Sequence, residues 1–290
     1  MKFKIFSVLV GTEACIASCP FCVSGVLPNE NNMRCPEVNW RNFDIACNLA
    51  NRSNVNTVVL TSRGEPLLFP DQITDYLKHL QPYKFPFIEL QTNGILFDKK
   101  KEIFMDYLGL WYQLGLTTVC LSVVSNEYNK NQENYTPNGT YMDLKEIIKL
   151  LHSIGYSVRL ACVMCKEITS KVKDMEEFIL FAKSNLVEQI TLRPVNEEVR
   201  RPSAAQWIKQ RKLSDSDKED IKNYLDKNGT LLLDLDRLGL IYDIYGQNVM
   251  FSCPLNINIR NTDPDKGRQL IFFQDGHLGY EWEKAGGILL

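Results

Sequence analysis

The stretch Lys4-Ile5-Phe6-Ser7-Val8-Leu9-Val10-Gly11-Thr12-Glu13-Ala14-Cys15-Ile16-Ala17-Ser18-Cys19-Pro20-Phe21-Cys22 decides how this chain is read. Residues 3–10 are an apolar run ended by Gly11, the pattern of a buried first strand. Three cysteines follow almost at once. Three neighbouring thiolates can each hold one iron of a cubane cluster and leave the fourth iron without a protein ligand. An iron left open in this way can be chelated by a substrate or a cofactor. Zinc is the competing reading, but it normally takes a Cys-x2-Cys pair together with a second such pair or with histidines. His79, His152 and His277 are scattered and form no ligand pair, so zinc is disfavoured.

The 290 residues are 44% hydrophobic and 23% charged, which suits one large α/β domain or one domain with a short extension. A net charge of −2 gives no broad attraction to nucleic acid or to an anionic membrane. No apolar run approaches the roughly 20 residues that span a bilayer. The opening MKFKIFSVLVG has the lysines of a signal peptide, but its apolar core is short and Glu13 follows without a small-residue cleavage site. The expectation is a cytoplasmic protein with reduced thiols. Nine cysteines in that setting point to metal ligation by some and burial of the others, not to a disulfide scaffold.

Strand-like runs at 3–10, 57–60, 87–90, 118–124, 156–164 and 189–195 alternate with helical stretches at 39–50, 71–80, 100–114, 141–153 and 172–184. This alternation implies parallel βα units, hence an α/β fold built as a partial (β/α)6 TIM-type barrel with its functional loops at the strands' C-terminal ends. Residues 126–139 are polar and Asn-rich and read as a loop. Residues 196–217 read as charged and irregular, with a helix near 218–226. Runs at 268–273 and 278–282 around Asp275-Gly276 read as a hairpin. The expected organisation is a barrel over 1–195 and a C-terminal α+β extension over 196–290, packed on the barrel.

The Cys-x3-Cys-x2-Cys spacing after a first strand resembles the signature of the radical S-adenosylmethionine (SAM) superfamily. The resemblance implies that Cys15, Cys19 and Cys22 bind a 4Fe–4S cluster and that SAM chelates the open iron through its amino and carboxylate groups. It implies an enzyme that cleaves SAM reductively, with a reductase such as flavodoxin or ferredoxin as electron donor. Phe21 sits where the family places a residue beside the adenine. Gly64-Glu65-Pro66 is similar to the Gly-Gly-Glu-Pro stretch that binds the methionyl ammonium, with Arg63 in place of the first glycine. Asn93 resembles the polar residue facing SAM, although a local Thr-Asn-Gly turn would also explain it. Ser122 resembles the ribose-contacting serine, while Val124 stands where many relatives carry an acid. Arg193 on the sixth strand suits the SAM carboxylate; an internal salt bridge is the alternative.

The hairpin around Asp275-Gly276 is similar to that of SPASM or twitch extensions. Those usually carry cysteines for auxiliary clusters. Here Cys253 is the only cysteine after Cys165, and Glu281 stands near an expected ligand position, so auxiliary clusters are not expected. Cys162 and Cys165 lie three apart in a strand and are expected to face opposite sides, one lining the barrel and one packed. Either Cys162 or Cys120 could donate a hydrogen atom to a radical. Asp243 is a weak substrate-contact candidate.

Because the chain opens at strand one, no N-terminal leader-binding domain is expected, which tilts the substrate from a ribosomal peptide toward a small metabolite, nucleotide or sugar. A nucleic-acid-modifying enzyme is the alternative; it would need a groove drawing on Arg200, Arg201, Lys209, Arg211 and Lys212. A non-catalytic metal-binding module is the third possibility.

Overall fold

The computed structural model describes residues 3–22, 37–136, 139–195, 202–235, 239–252, 269–280, 282 and 288–290. The first half runs β1 (Ile5–Leu9), α1 (Trp40–Arg52), β2 (Thr57–Thr61), α2 (Pro70–Leu80), β3 (Phe87–Thr92), α3 (Ile95–Lys99), α4 (Lys101–Gln113) and β4 (Thr118–Val123). It continues with α5 (Tyr128–Tyr135), α6 (Leu144–Ile154), β5 (Ser157–Met164), α7 (Val172–Ser184) and β6 (Gln189–Pro194). The remainder is α8 (Pro202–Arg211), α9 (Asp215–Asn228), β7 (Thr230–Asp234), β8 (Leu240–Ile244), β9 (Gln247–Phe251), β10 (Gln269–Phe272) and β11 (Leu278–Gly279).

Helix boundaries follow local chemistry. Asp143 caps α6 by accepting from the amides of Lys145 and Glu146, and Gly155 ends it with φ of 112°. Ser214 and Asp217 form a reciprocal capping box at α9.

All strands join one sheet in the order β11-β10-β1-β2-β3-β4-β5-β6-β9-β8-β7, and it does not close. The neighbours from β10 through β1–β6 to β9 run parallel; β11, β8 and β7 are antiparallel additions. This is the expected α/β partial barrel, lengthened at both edges. The strands of the expected extension lie in the barrel's own sheet, with β10 on the open edge of β1 and β9 on that of β6.

Two expectations fail locally. Residues 126–139 contain a helix, α5, because buried Asn131 ties its start to the end of β4. Its amide accepts from Val124 N at 2.9 Å and donates to Ser125 O at 2.7 Å. Residues 196–217 contain a helix, α8, whose Ile208 is buried in the main core.

The sheet has two chemically distinct faces. One row of each central strand (Phe6 and Val8, Val58 and Leu60, Leu90, Val119 and Leu121, Val158 and Leu160, Ile190 and Leu192) is fully or nearly buried in the main apolar core. The alternate row carries Ser7, Glu89, Gln91, Ser122, Arg159, Gln189, Thr191 and Arg193. Many of these polar groups bond to one another: Ser7 with Gln269, Gln91 with Glu89, Arg159 with Glu89 and Thr191, and Gln189 with Asn248. A barrel wall lined with polar groups holds a ligand better than it holds a core.

Candidate functional site

The loop after β1 is stitched down on several sides. Gly11 N donates to Gln72 of α2 at 2.6 Å, and Gln274 of the C-terminal hairpin donates to Gly11 O. Ser62 Oγ donates to Thr12 O at 3.1 Å. Ser18 N donates to Tyr135 O at 3.0 Å, and Cys22 N turns back to Cys19 O at 3.2 Å. The three cysteines therefore sit on one braced turn at the C-terminal end of β1. Cys15 is exposed, while Cys19 and Cys22 are half-buried.

Their electrostatics suit a cationic ligand. Burial, and then the negative charges of Glu65 and Cys22, push the Cys15 thiol up to about 11. Cys19 is raised further by burial and by Cys22 and Cys15. Cys22 thus disfavours ionisation of both Cys15 and Cys19, and Cys15 that of Cys19, a repulsion that bound metal would reverse. Among the described residues, no three His, Cys, Asp or Glu side chains gather around a single-ion position. Cubane thiolates take one iron each and need not converge on one point, so the donor set fits a cluster better than zinc. Each histidine has other company: His79 stacks on Trp40 at 4.0 Å, His152 lies 3.2 Å from Glu188, and His277 lies 2.9 Å from Asp275.

Gly64 and Glu65 pack directly beneath this loop. A Cβ on Gly64 would stand 2.1 Å from Ala14 O, and Glu65 N donates to that same oxygen at 2.9 Å. Only glycine allows so close a backbone approach. Arg63, next to Gly64, lies 3.6 Å from Glu13 on the cysteine loop.

The Glu65 carboxylate is 1% exposed. Its Oε1 accepts from Leu67 N at 2.9 Å and from the Thr92 hydroxyl, and its Oε2 accepts from Asn93 N at 3.0 Å. Burial raises it to about 7 despite these donors. Glu65 thereby locks the ends of β2 and β3 together under the cysteines.

Asn93 does two things. Its Oδ1 accepts from Ile95 N at 3.1 Å, which is the local turn, and its Nδ2 points at Cys15 Sγ from 3.8 Å. Gly94 follows with φ of 74°, where a Cβ would strike Leu121 and Met142.

Ser122 Oγ lies 2.9 Å from the Tyr135 hydroxyl. Phe21 is enclosed edge-on by Tyr135, with centroids 5.6 Å apart, and by Trp207 of α8 at 5.8 Å. Tyr135 and Trp207 were not legible in sequence, because each lies in a stretch read as irregular.

The structure brings Cys15, Cys19, Cys22, Phe21, Gly64, Glu65, Asn93 and Ser122 to one end of the sheet. Arg193 shares the polar face but keeps different company: the charges acting on it are those of Arg159, Cys120 and Glu89.

Several expectations need correction. Cys162 and Cys165 are both fully buried; Cys162 lies on the helix-facing row, its thiol 3.5 Å from Val124 O, so Cys162 does not line the barrel. Cys120 does stand on the polar row, at 3% exposure. Asp243 accepts from Gly246 N at 2.7 Å in the β8–β9 turn, at the sheet end opposite the cysteines, which leaves it no substrate role there. Arg211, one of the basic residues of the nucleic-acid alternative, lies 3.1 Å from Glu167 and over the Trp207 ring. Cys253, Glu281, Arg200 and Arg201 lie outside the described residues.

No family model matches the sequence, and no curated protein sequence matches it. Solved structures do. SuiB of Streptococcus suis, bound to its precursor peptide SuiA, is 16% identical with a TM-score of 0.62 over 96% of this chain and 59% of that one. Native anSMEcpe with bound AdoMet is 11% identical with a TM-score of 0.58, covering 99% and 77%. A radical SAM methyltransferase from Sphaerobacter thermophilus is 15% identical with a TM-score of 0.57, covering 87% and 67%. This chain thus spans 59% of the length of SuiB. The shared feature is the fold: an open α/β barrel of the kind found in a radical SAM methyltransferase. Among the described residues, no helix is long and apolar enough to cross a membrane.

Proposed function

We propose that this chain is a radical SAM enzyme whose Cys15, Cys19 and Cys22 hold a 4Fe–4S cluster. The observation that carries the reading is the braced three-cysteine turn resting on Gly64-Glu65, with the Asn93 amide aimed at Cys15. When bound, the cluster supplies an electron that splits SAM into methionine and a 5′-deoxyadenosyl radical able to take a hydrogen atom from a substrate.

The chain's own residues position and enclose. Gly64 lets the β2 loop approach the cysteine turn. Glu65 fixes that loop against β3, and its Oε2, with one protein donor, keeps capacity to accept from the SAM ammonium. Asn93 Nδ2 donates toward Cys15 Sγ and would steady that thiolate when a cluster is held. Ser122 Oγ, which shares one hydrogen bond with the Tyr135 hydroxyl, keeps further hydrogen-bonding capacity for a ribose hydroxyl. Phe21, backed by Tyr135 and Trp207, offers a rigid apolar wall to adenine. Exposed Cys15 and Ser18 leave the turn reachable by a reductase such as flavodoxin or ferredoxin.

The hydrogen donor is a small metabolite, nucleotide, sugar or peptide; the likeness to SuiB, solved with a precursor peptide, supports keeping peptides in that set. The test is anaerobic reconstitution with iron and sulfide, followed by dithionite and SAM. 5′-Deoxyadenosine should form with the native chain and vanish in a Cys15→Ala/Cys19→Ala/Cys22→Ala variant. Equal nucleoside yield from both would refute the proposal.

A further inference from the structure

On the polar face, Cys120 of β4 pairs in register with Arg159 of β5, and Thr191 and Arg193 of β6 lie two and four residues beyond the Gln189 that pairs with Arg159. Arg159 is neutralised: it pairs with Glu89 across β4 at 2.5 Å and donates to Thr191 at 3.2 Å. Arg193 is not. Among the described residues it makes no hydrogen bond and no ion pair. It is solvent-exposed yet closely surrounded by protein, which is the situation of a group lining a concavity and not of one on a convex surface. Burial and the nearby Arg159 both disfavour its charge. The patch therefore holds two guanidinium groups and one carboxylate, with an unpaired planar fork facing the barrel interior. Arginine in that setting is built to receive a carboxylate or phosphate in bidentate fashion.

The SAM carboxylate is one available anion, but on the reading above it sits at the open iron beside the cysteine turn, on β1. Arg193 is on β6, with four strands between. None of the three turn cysteines is among the charges acting on it.

We infer that Arg193 is the docking point for an anionic group on the substrate, a carboxylate or a phosphate monoester, held inside the barrel beside the neutralised Arg159–Glu89 pair. This rests on the radical SAM reading and narrows its substrate class.

The test uses the reconstituted full chain saturated with SAM, titrated with inorganic phosphate or acetate against chloride at matched ionic strength, and read by thermal shift. Phosphate or acetate should raise the melting temperature of the native holoenzyme. Arg193→Gln should weaken that apparent affinity at least tenfold, Arg193→Lys should weaken it less, and both should bind SAM with native affinity. Whichever anion gives the larger shift names the substrate group. Two results would overturn the assignment: equal anion shifts in native and Arg193→Gln protein, or a tenfold loss of SAM affinity in Arg193→Gln, which would return Arg193 to the cofactor. Failure of the native chain to take up a cluster or to bind SAM appears before any anion is added. It would remove the underlying reading as well, whereas an anion result alone removes only the role of Arg193.

Discussion

Glu65 shows how much of the site rests on single residues. Its folded-state value of about 7 lies above the ordinary 4.5, because burial outweighs its three donors. Below about 4.5 the group is neutral in both states. Between 4.5 and 7 the unfolded chain releases the proton while the folded chain keeps it, so stability falls as pH rises through that window. The loss for the cluster-free chain should total about 3 kcal/mol. Urea unfolding across pH 4.5–7.5 should show this decline in the native protein and a flatter profile in Glu65→Gln; parallel profiles would contradict it. Gly64→Ala tests the close approach to Ala14 O. The clash is with backbone, so the cysteine turn must move, and we expect a loss of about 2 kcal/mol together with reduced iron uptake. Native iron content in Gly64→Ala would show that the turn tolerates displacement. That Cys15, Cys19 and Cys22 share one turn was readable from their spacing. The turn role of Asn93 was readable in sequence, whereas its approach to Cys15 Sγ appears only in the coordinates.

At the scale of elements, the βα alternation was legible because apolar period and cap residues agree, as with α7, found at the expected residues 172–184. The failures share one cause. α5 carries little apolar periodicity and forms because Asn131 satisfies the backbone at the end of β4, a contact between residues six and seven apart with no pattern to announce it. α8 follows a charged stretch and is held by Ile208 and Trp207 against the rest of the fold. Asn131→Leu should therefore be costly despite adding apolar surface. It strands Val124 N and Ser125 O, and each buried unpaired group costs about 1–3 kcal/mol. A chemical-denaturation midpoint unchanged from native would show that α5 does not depend on this bond.

For the whole molecule, the decisive property is a sheet with one apolar and one polar face. Sequence revealed the strands but not that Glu89 and Arg159, seventy residues apart, would meet across β4. A charged residue inside an alternating strand was the available signal. Breaking the pair leaves Arg159 without a counter-charge near Arg193, so Glu89→Gln should cost about 3–5 kcal/mol, while Glu89→Leu with Arg159→Met should cost less. The reverse order would mean that the pair is not buried in solution. The account as a whole stands on the cysteine turn. Electron paramagnetic resonance of the dithionite-reduced, reconstituted chain, recorded with and without SAM, tests it most directly. The account predicts a reduced 4Fe–4S signal whose line shape changes when SAM binds and which Cys19→Ala abolishes. A signal indifferent to SAM, or a turn occupied by zinc, would contradict it.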